Sequence, residues 1–178
     1  VKRRMVQRFR LVDQALREYG DRDPRLSGMG TTLTVACSLG ADLFIGHIGD
    51  SRAYLFRGGK LQQVTHDDTL AQAMIDWGVA QGDDTNVRGM RRVLTAALGS
   101  TAQPRDPEVS RLYLQHDDQL LLCTDGLYEC VDSDIIASVL NTATSSDEAC
   151  SSLVAESLKN GGNDNVTTVL ARYRFPQS

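Results

Sequence analysis

Three aspartates lie where a predicted strand meets a turn, and each could supply a carboxylate to a metal ion. Asp50 ends the stretch LFIGHIGD, Asp125 ends QLLLCTD, and Asp164 lies in GGNDN just before a final apolar stretch. A strand end holds a side chain rigidly, and a neighbouring glycine lets a ligand or another backbone approach closely. Hard cations such as Mg²⁺ and Mn²⁺ prefer several oxygen ligands. The pattern indicates a divalent-metal site, while aspartate before glycine or asparagine is also ordinary turn chemistry.

The pattern of apolar residues predicts an α+β fold around these aspartates, with mainly antiparallel strands. A first helix runs to Gly20, and four β-rich stretches follow, with a hairpin turn at Gly58-Gly59. The apolar residues at helical spacing are Met5, Phe9, Val12, Leu16 and Tyr19. The later predicted elements are a helix over 69–77 begun by Asp67 or Asp68, strands over 109–115 and 119–125, helices over 133–140 and 145–159, and a last strand over 165–173.

The charge distribution argues against a nucleic-acid-binding protein. The formal net charge is -4 and the sequence pI is about 5.3, whereas nucleic-acid binders usually carry a basic domain or stripe. GxGxxG and Walker lysine motifs are missing from the sequence, which argues against a nucleotide-binding sheet. One basic cluster opens the chain and is expected to be the solvated face of the first helix, with a docking surface for an acidic partner as the alternative. Its members are Lys2, Arg3, Arg4, Arg8 and Arg10.

The cysteines and the apolar stretches predict a cytoplasmic protein. The four cysteines form no CxxC pair, so we expect reduced core residues and not a zinc site or disulfide scaffold. No apolar stretch reaches the roughly 20 residues that span a bilayer, and no signal-peptide pattern opens the chain. We therefore expect no membrane contact from this portion of the protein.

Five sequence segments share their order with one known family. They are GMGTTL, HIGDSRAYLFRGGKLQQVTHDD, RVLTAALG, LLLCTDGLYECVDSDII and GGNDNVTTVL. Their order resembles that of the metal-dependent type 2C serine/threonine protein phosphatases, and of the bacterial members above all. The resemblance extends from about Leu11 to Tyr173.

The resemblance implies a β-sandwich flanked by pairs of helices, with αββα layers and a metal centre at one end. It implies two Mn²⁺ or Mg²⁺ ions, with a third in bacterial members. The aspartate matching Asp164 ligates the first metal, and the one matching Asp125 ligates the second and third. The aspartate matching Asp50 helps to hold the third, weaker metal.

The resemblance also implies a flap beside the site, which corresponds to residues 78–92. Arg91 and Arg92 at its end could contact a phosphopeptide, or could simply be exposed arginines. His47 is expected to be a packed histidine and not a ligand, and Arg52 to form a salt bridge or structural hydrogen bonds and not to capture phosphate. Trp77 is expected to pack its helix.

The chain departs from the family at its beginning. Members begin with strands that carry a Glu-Asp motif and an Asp-Gly-Met-Gly-Gly motif, whose aspartate bridges two metals, and neither motif occurs here. Ser27, not aspartate, precedes the GMGTT segment. We therefore expect residues 1–178 to be the C-terminal majority of a single catalytic domain. A natural truncation that assembles with another protein is the alternative, and an uncovered sheet edge would then permit self-association.

The leading functional hypothesis is metal-dependent hydrolysis of phosphoserine and phosphothreonine in proteins. The expected partners are phosphorylated proteins, including serine/threonine kinases and their substrates. For this chain alone we expect weak metal binding and little turnover, because the bridging aspartate is missing. The alternative hypothesis is a non-catalytic, phosphatase-like regulatory domain that binds a partner.

Overall fold

The computed structural model describes residues 1–81, 87, 89–100 and 104–176. The chain divides into two compact units: the first contains Val1–Ser38, Phe44–Asp50 and Asp67–Arg111, and the second contains Leu39–Leu43, Ser51–His66 and Leu112–Ser178. The described elements are, in order, α1 (Lys2–Arg22), a 3₁₀ turn (Pro24–Leu26), β1 (Leu33–Leu39), β2 (Asp42–Ile48), β3 (Arg52–Arg57), β4 (Lys60–Gln63), α2 (Leu70–Asp76), β5 (Glu108–Tyr113), β6 (Gln119–Cys123), α3 (Asp125–Tyr128), α4 (Ser133–Thr142), α5 (Ser146–Lys159) and β7 (Thr168–Arg172).

The second unit contains a four-stranded antiparallel sheet in the order β4-β3-β6-β7. Arg57 pairs with Lys60 across the β3–β4 hairpin, as the glycine pair predicted. Gly58 and Gly59 have φ values of 55° and 78°. Positive φ at both central residues is the requirement of a type I′ hairpin turn, whose twist matches that of the flanking strands.

Apolar side chains from the sheet and from α3, α4 and α5 form the core of the second unit. Leu127, Ile136 and Leu153 have 0% exposure and come from the three helices in turn. The buried members of this cluster are Tyr54, Phe56, Leu121, Cys123, Leu127, Val131, Ile136, Leu140, Ala149 and Leu153. The packing of these helices against the sheet fixes the start of α3, where Asp125 lies.

Helix α5 begins with a capping motif that the sequence predicted. The Ser145 hydroxyl accepts a hydrogen bond from the Glu148 amide at 3.0 Å. The Glu148 carboxylate returns to Thr144, whose hydroxyl and amide donate to it at 2.6 and 2.8 Å. These hydrogen bonds, from the hydroxyl above all, hold the pKa of Glu148 below its usual range. In the usual capping box the Glu side chain accepts from the amide of the N-cap residue itself; here it accepts from Thr144, the residue before the N-cap Ser145.

The first unit is built on α1 and on most of a three-stranded sheet in the order β1-β2-β5. Met5 and Phe9 of α1 are buried. A Cβ atom at Gly46 of β2 would lie 3.0 Å from both Met5 Cε and Phe9 Cε2, so glycine lets the helix approach the strand. Phe9 joins Ile48 and Leu98 in a buried cluster.

Several local predictions were wrong because tertiary contacts decide exposure and capping. Tyr19, which the periodicity placed on the apolar face, is 58% exposed, and Trp77 is 72% exposed at the end of α2. The N-cap of α2 is Thr69, whose hydroxyl accepts from the Gln72 amide, and not Asp67 or Asp68.

No helix in the described part of the chain is long and apolar enough to cross a membrane.

Truncation of a core leucine in α5 should destabilise the protein far more than truncation of a surface leucine in the same helix. Leu153 has 0% exposure and Leu158 has 62%. We expect Leu153→Ala to lower the free energy of unfolding by about 2–5 kcal/mol. The matched control Leu158→Ala should cost under about 1 kcal/mol. Urea denaturation measures both, and equal losses would contradict the core assignment.

Candidate metal centre

The register of the sheet in the second unit brings two of the predicted aspartates to the same end of two neighbouring strands. Cys123 at the end of β6 pairs with Thr168 at the start of β7. Because the two strands are antiparallel, the segment that leaves β6 and the segment that enters β7 lie side by side. Asp125 follows the end of β6 and Asp164 precedes the start of β7.

Hydrogen bonds through Thr124 hold these two segments together beyond the sheet. The Thr124 hydroxyl donates to the Asn165 carbonyl at 3.1 Å and accepts from the Thr167 amide at 3.0 Å. The Thr124 amide donates to the Thr167 carbonyl at 3.2 Å. Asp125 directly follows Thr124, and Asp164 directly precedes Asn165. The two carboxylates therefore project from backbone segments that are bonded to each other.

Gly126 allows the two segments to approach this closely. A Cβ atom at Gly126 would lie 2.5 Å from the Asn165 carbonyl oxygen, a distance that no side chain tolerates. The carbonyl of Gly126 accepts a hydrogen bond from the buried Ser157 hydroxyl of α5 at 2.7 Å. Glycine at this position is thus a packing requirement as well as a turn residue.

The carboxylates of Asp125 and Asp164 are oriented by the backbone. Asp125 Oδ1 accepts from the Gly126 amide at 2.9 Å, and Asp164 Oδ1 accepts from the Asn165 amide at 2.7 Å. Asp125 is half-buried and Asp164 is exposed. Oxygen donors of this kind fit Mg²⁺ or Mn²⁺, since Mg²⁺ usually binds one or two carboxylates and keeps several waters.

Asp50 lies in the first unit, where it follows β2 and is half-buried. Its neighbour Gly49 has φ 110°, and a Cβ atom there would lie 2.3 Å from Thr32 Cγ2. Within the described ranges, no group of three or more His, Cys, Asp or Glu side chains could hold a metal ion. The three-aspartate ligand set therefore remains a prediction, and Asp125 with Asp164 is the pair whose backbone segments the structure brings together.

The predicted flap is described only in part, because residues 82–86 and 88 lie outside the described residues. Its end is tied to α2: the amides of Leu70 and Ala71 donate to the carbonyls of Val93 and Met90 at 2.8 and 3.2 Å. Arg91 and Arg92 are exposed. Their contact with substrate remains a prediction.

His47 and Arg52 have structural roles, as predicted. His47 is buried, with Nδ1 2.9 Å from the Thr34 hydroxyl and Nε2 3.0 Å from the Gly49 carbonyl. Because a carbonyl only accepts, Nε2 carries a proton, and in the neutral ring Nδ1 then accepts from the hydroxyl. The Arg52 guanidinium donates to the Tyr54 hydroxyl and lies 3.6 Å from the centroid of the Tyr128 ring.

The sequence did not reveal the supporting residues Thr124, Ser157 and Asp68. Thr124 stands directly before Asp125, and a hydroxyl residue at a strand end is a signal for a local hydrogen bond. Ser157 and Asp68 give no such signal, because their partners at Gly126 and Gly49 are distant in sequence.

An added methyl group at Gly126 should separate the two aspartate segments. We expect Gly126→Ala to lower the free energy of unfolding by about 1–3 kcal/mol through overpacking, and to weaken Mn²⁺ binding. Gly89→Ala is the matched control, because a Cβ atom there meets nothing within 4 Å among the residues that the structure describes. Urea denaturation and isothermal titration with Mn²⁺ measure the two effects. Behaviour of Gly126→Ala like that of Gly89→Ala would show that the close approach is unnecessary.

Comparison with known proteins identifies the family. A family model described as Protein phosphatase 2C matches residues 2–173. The serine/threonine protein phosphatase PstP of Mycobacterium tuberculosis is 36% identical over 162 residues, which cover 91% of this chain and 31% of that protein. The serine/threonine phosphatase stp of Listeria welshimeri is 29% identical over 166 residues, which cover 93% of this chain and 66% of that protein. The chain thus spans less than two thirds of the length of these relatives.

Solved structures agree with the sequence comparison. The crystal structure of the Mycobacterium tuberculosis phosphatase PstP matches with a TM-score of 0.84 at 35% identity, over 92% of this chain and 68% of that chain. A structure of the catalytic domain of PstP in complex with two manganese ions matches with a TM-score of 0.78 at 35% identity, over 89% of this chain and 64% of that chain. These likenesses confirm the predicted α+β fold class. Because the family model matches nearly the whole chain, the chain belongs to the protein phosphatase 2C family.

Proposed function

We propose that this chain serves in the metal-dependent hydrolysis of phosphoserine and phosphothreonine in proteins. The observation that carries the proposal is the pairing of the Asp125 and Asp164 segments through Thr124. Family membership and the serine/threonine phosphatase activity named for the relatives support it.

The proposed cofactor is Mn²⁺ or Mg²⁺, bound as two ions with a third at a weaker position. The relative PstP binds two manganese ions in its catalytic domain. In this chain Asp125 and Asp164 would hold the metal, and Asp50 would contribute to the third position. Bound divalent ions supply a water of lowered pKa and neutralise charge on the phosphoryl group.

The residues of the chain itself act by positioning. The amides of Gly126 and Asn165 each hold one oxygen of the preceding carboxylate. Thr124 fixes the spacing of the two segments, so little reorganisation is needed when a cation arrives. Asp164 is exposed, which leaves its segment accessible to a phosphorylated protein. Arg91 and Arg92 are the proposed contacts for substrate phosphate, because arginine binds phosphate oxygens through paired donors.

The proposed partners are phosphorylated proteins, including serine/threonine kinases and their substrates. A cytoplasmic location, a single-domain organisation and self-association through a sheet edge remain predictions. The 178 residues contain no Asp-Gly-Met-Gly-Gly motif, so we expect weak metal binding and little turnover by these residues alone.

Substitution of either paired aspartate should weaken Mn²⁺ binding. Asparagine keeps an oxygen for the neighbouring amide but loses the charge, so Asp125→Asn and Asp164→Asn test the ligand role without loss of the turn. We expect at least about tenfold weaker binding for each, since loss of even an outer-shell partner typically costs 10–100-fold. Asp134→Asn, at an exposed position of α4, is the matched control. Electron paramagnetic resonance of free Mn²⁺ measures the affinity.

Hydrolysis of a phosphothreonine peptide tests the reaction, with the chain and any residues that precede Val1 in the encoded protein. We expect Mn²⁺-dependent release of phosphate that Asp125→Asn abolishes. Unchanged hydrolysis by Asp125→Asn would contradict the site assignment. Metal binding without any hydrolysis would favour the non-catalytic regulatory domain instead.

A further inference from the structure

Asp68 holds the turn that leads into Asp50, although the two residues are far apart in sequence. Asp68 Oδ2 accepts a hydrogen bond from the Gly49 amide at 3.0 Å. The Asp68 amide donates to the Gly49 carbonyl at 2.7 Å. Asp68 therefore forms hydrogen bonds to both the amide and the carbonyl of Gly49, the residue directly before Asp50.

Asp68 is itself anchored by two further contacts. Its Oδ1 accepts from Arg105 Nη1 at 3.0 Å, and its carbonyl accepts from the Thr95 amide at 2.8 Å. The Asp68 side chain is 14% exposed, whereas that of Arg105 is 63% exposed. The ion pair at the surface is worth little stability by itself, but it restrains the orientation of the Asp68 carboxylate toward Gly49.

The Gly49 turn has little freedom once Asp68 is in place. Gly49 has φ 110°, in a region that only glycine adopts readily, and Thr32 leaves no space for a Cβ atom. The Gly49 carbonyl also accepts from the buried His47 ring at 3.0 Å. The backbone that enters Asp50 is thus fixed by contacts to both the amide and the carbonyl of Gly49.

Helix capping, the simpler explanation for an aspartate at this position, does not apply. The hydroxyl of Thr69 accepts from the Gln72 amide and caps α2. Both oxygens of Asp68 have other partners, Gly49 and Arg105. The carboxylate therefore serves the turn before Asp50 and not the helix that follows it.

We infer that Asp68 is a positioning residue for Asp50, which it acts on through the Gly49 amide. The inference rests on the proposed function for the role of Asp50 as a ligand of the weaker metal. A ligand must be held within about 0.5 Å of its productive position, and outer-shell partners supply that restraint for metal sites generally. Asp68 would raise divalent-metal affinity without contacting the ion.

The test uses the full chain in three variants, Asp68→Ala, Asp68→Asn and Asp134→Asn, the last as a charge-matched surface control. Hydrogen exchange of the Gly49 amide, followed by nuclear magnetic resonance, reports the hydrogen bond from this amide to Asp68 without metal or substrate. The Mn²⁺ concentration that half-broadens the Asp50 amide signal reports metal binding at that position. Near-ultraviolet circular dichroism verifies that each variant is folded.

We expect exchange at Gly49 to rise at least about tenfold in Asp68→Ala, with a Mn²⁺ requirement about tenfold higher. Asp68→Asn should restore both to within about threefold of the parent chain, because an amide oxygen still accepts from Gly49. Unchanged exchange in Asp68→Ala would show that the Asp68 side chain does not hold the Gly49 amide, and would overturn the inference. Lost protection with an unchanged Mn²⁺ requirement would reduce Asp68 to a purely structural role and overturn the inference.

An Asp50→Asn variant separates this inference from the proposed function. If Asp50→Asn leaves Mn²⁺ broadening unchanged, the ligand role proposed for Asp50 fails. Exchange at Gly49 still decides whether Asp68 holds the turn, because that measurement needs no metal.

Discussion

The contact between the end of β6 and the start of β7 is the constraint on which the candidate site depends. The antiparallel register pairs Cys123 with Thr168, so the segment that leaves β6 and the segment that enters β7 meet at the same end of these strands. Thr124 bonds to both Asn165 and Thr167, and Gly126 leaves room for the Asn165 carbonyl. A one-residue slip in this register would turn the side chains to opposite faces and separate the pair.

The hydrophobic core of the second unit also supports this end of β6 and β7. Helix α5 contributes Leu153 to the buried cluster of the second unit, and its Ser157 hydroxyl donates to the Gly126 carbonyl. A buried hydrogen bond of this kind contributes about 1 kcal/mol net, but its loss leaves a buried carbonyl unsatisfied at a larger cost. Core packing and site geometry are therefore coupled through one helix, and a substitution in α5 can affect the metal site without contacting it.

The sequence predicted the features that depend on local chemistry. The glycine pair specified the β3–β4 hairpin, and Ser145 specified the start of α5. The predicted strands placed Asp50 and Asp125 at strand ends; both lie two residues beyond the strand, and Asp125 is the first residue of α3. The sequence-based prediction failed where a side chain that was expected to bond locally has a hydrogen-bond partner that is distant in sequence. Asp67 or Asp68 was predicted to begin α2, but the Asp68 carboxylate accepts from the Gly49 amide and Thr69 caps the helix.

Paramagnetic broadening by Mn²⁺ shows whether Asp125 and Asp164 share a metal site, because it locates the ion without any substitution. We expect substoichiometric Mn²⁺ to broaden the amide signals of Gly126 and Asn165 together, and Mg²⁺ in excess to reverse the effect. Broadening of one of these signals without the other, or of neither while signals elsewhere in the chain disappear, would contradict a metal site shared by Asp125 and Asp164.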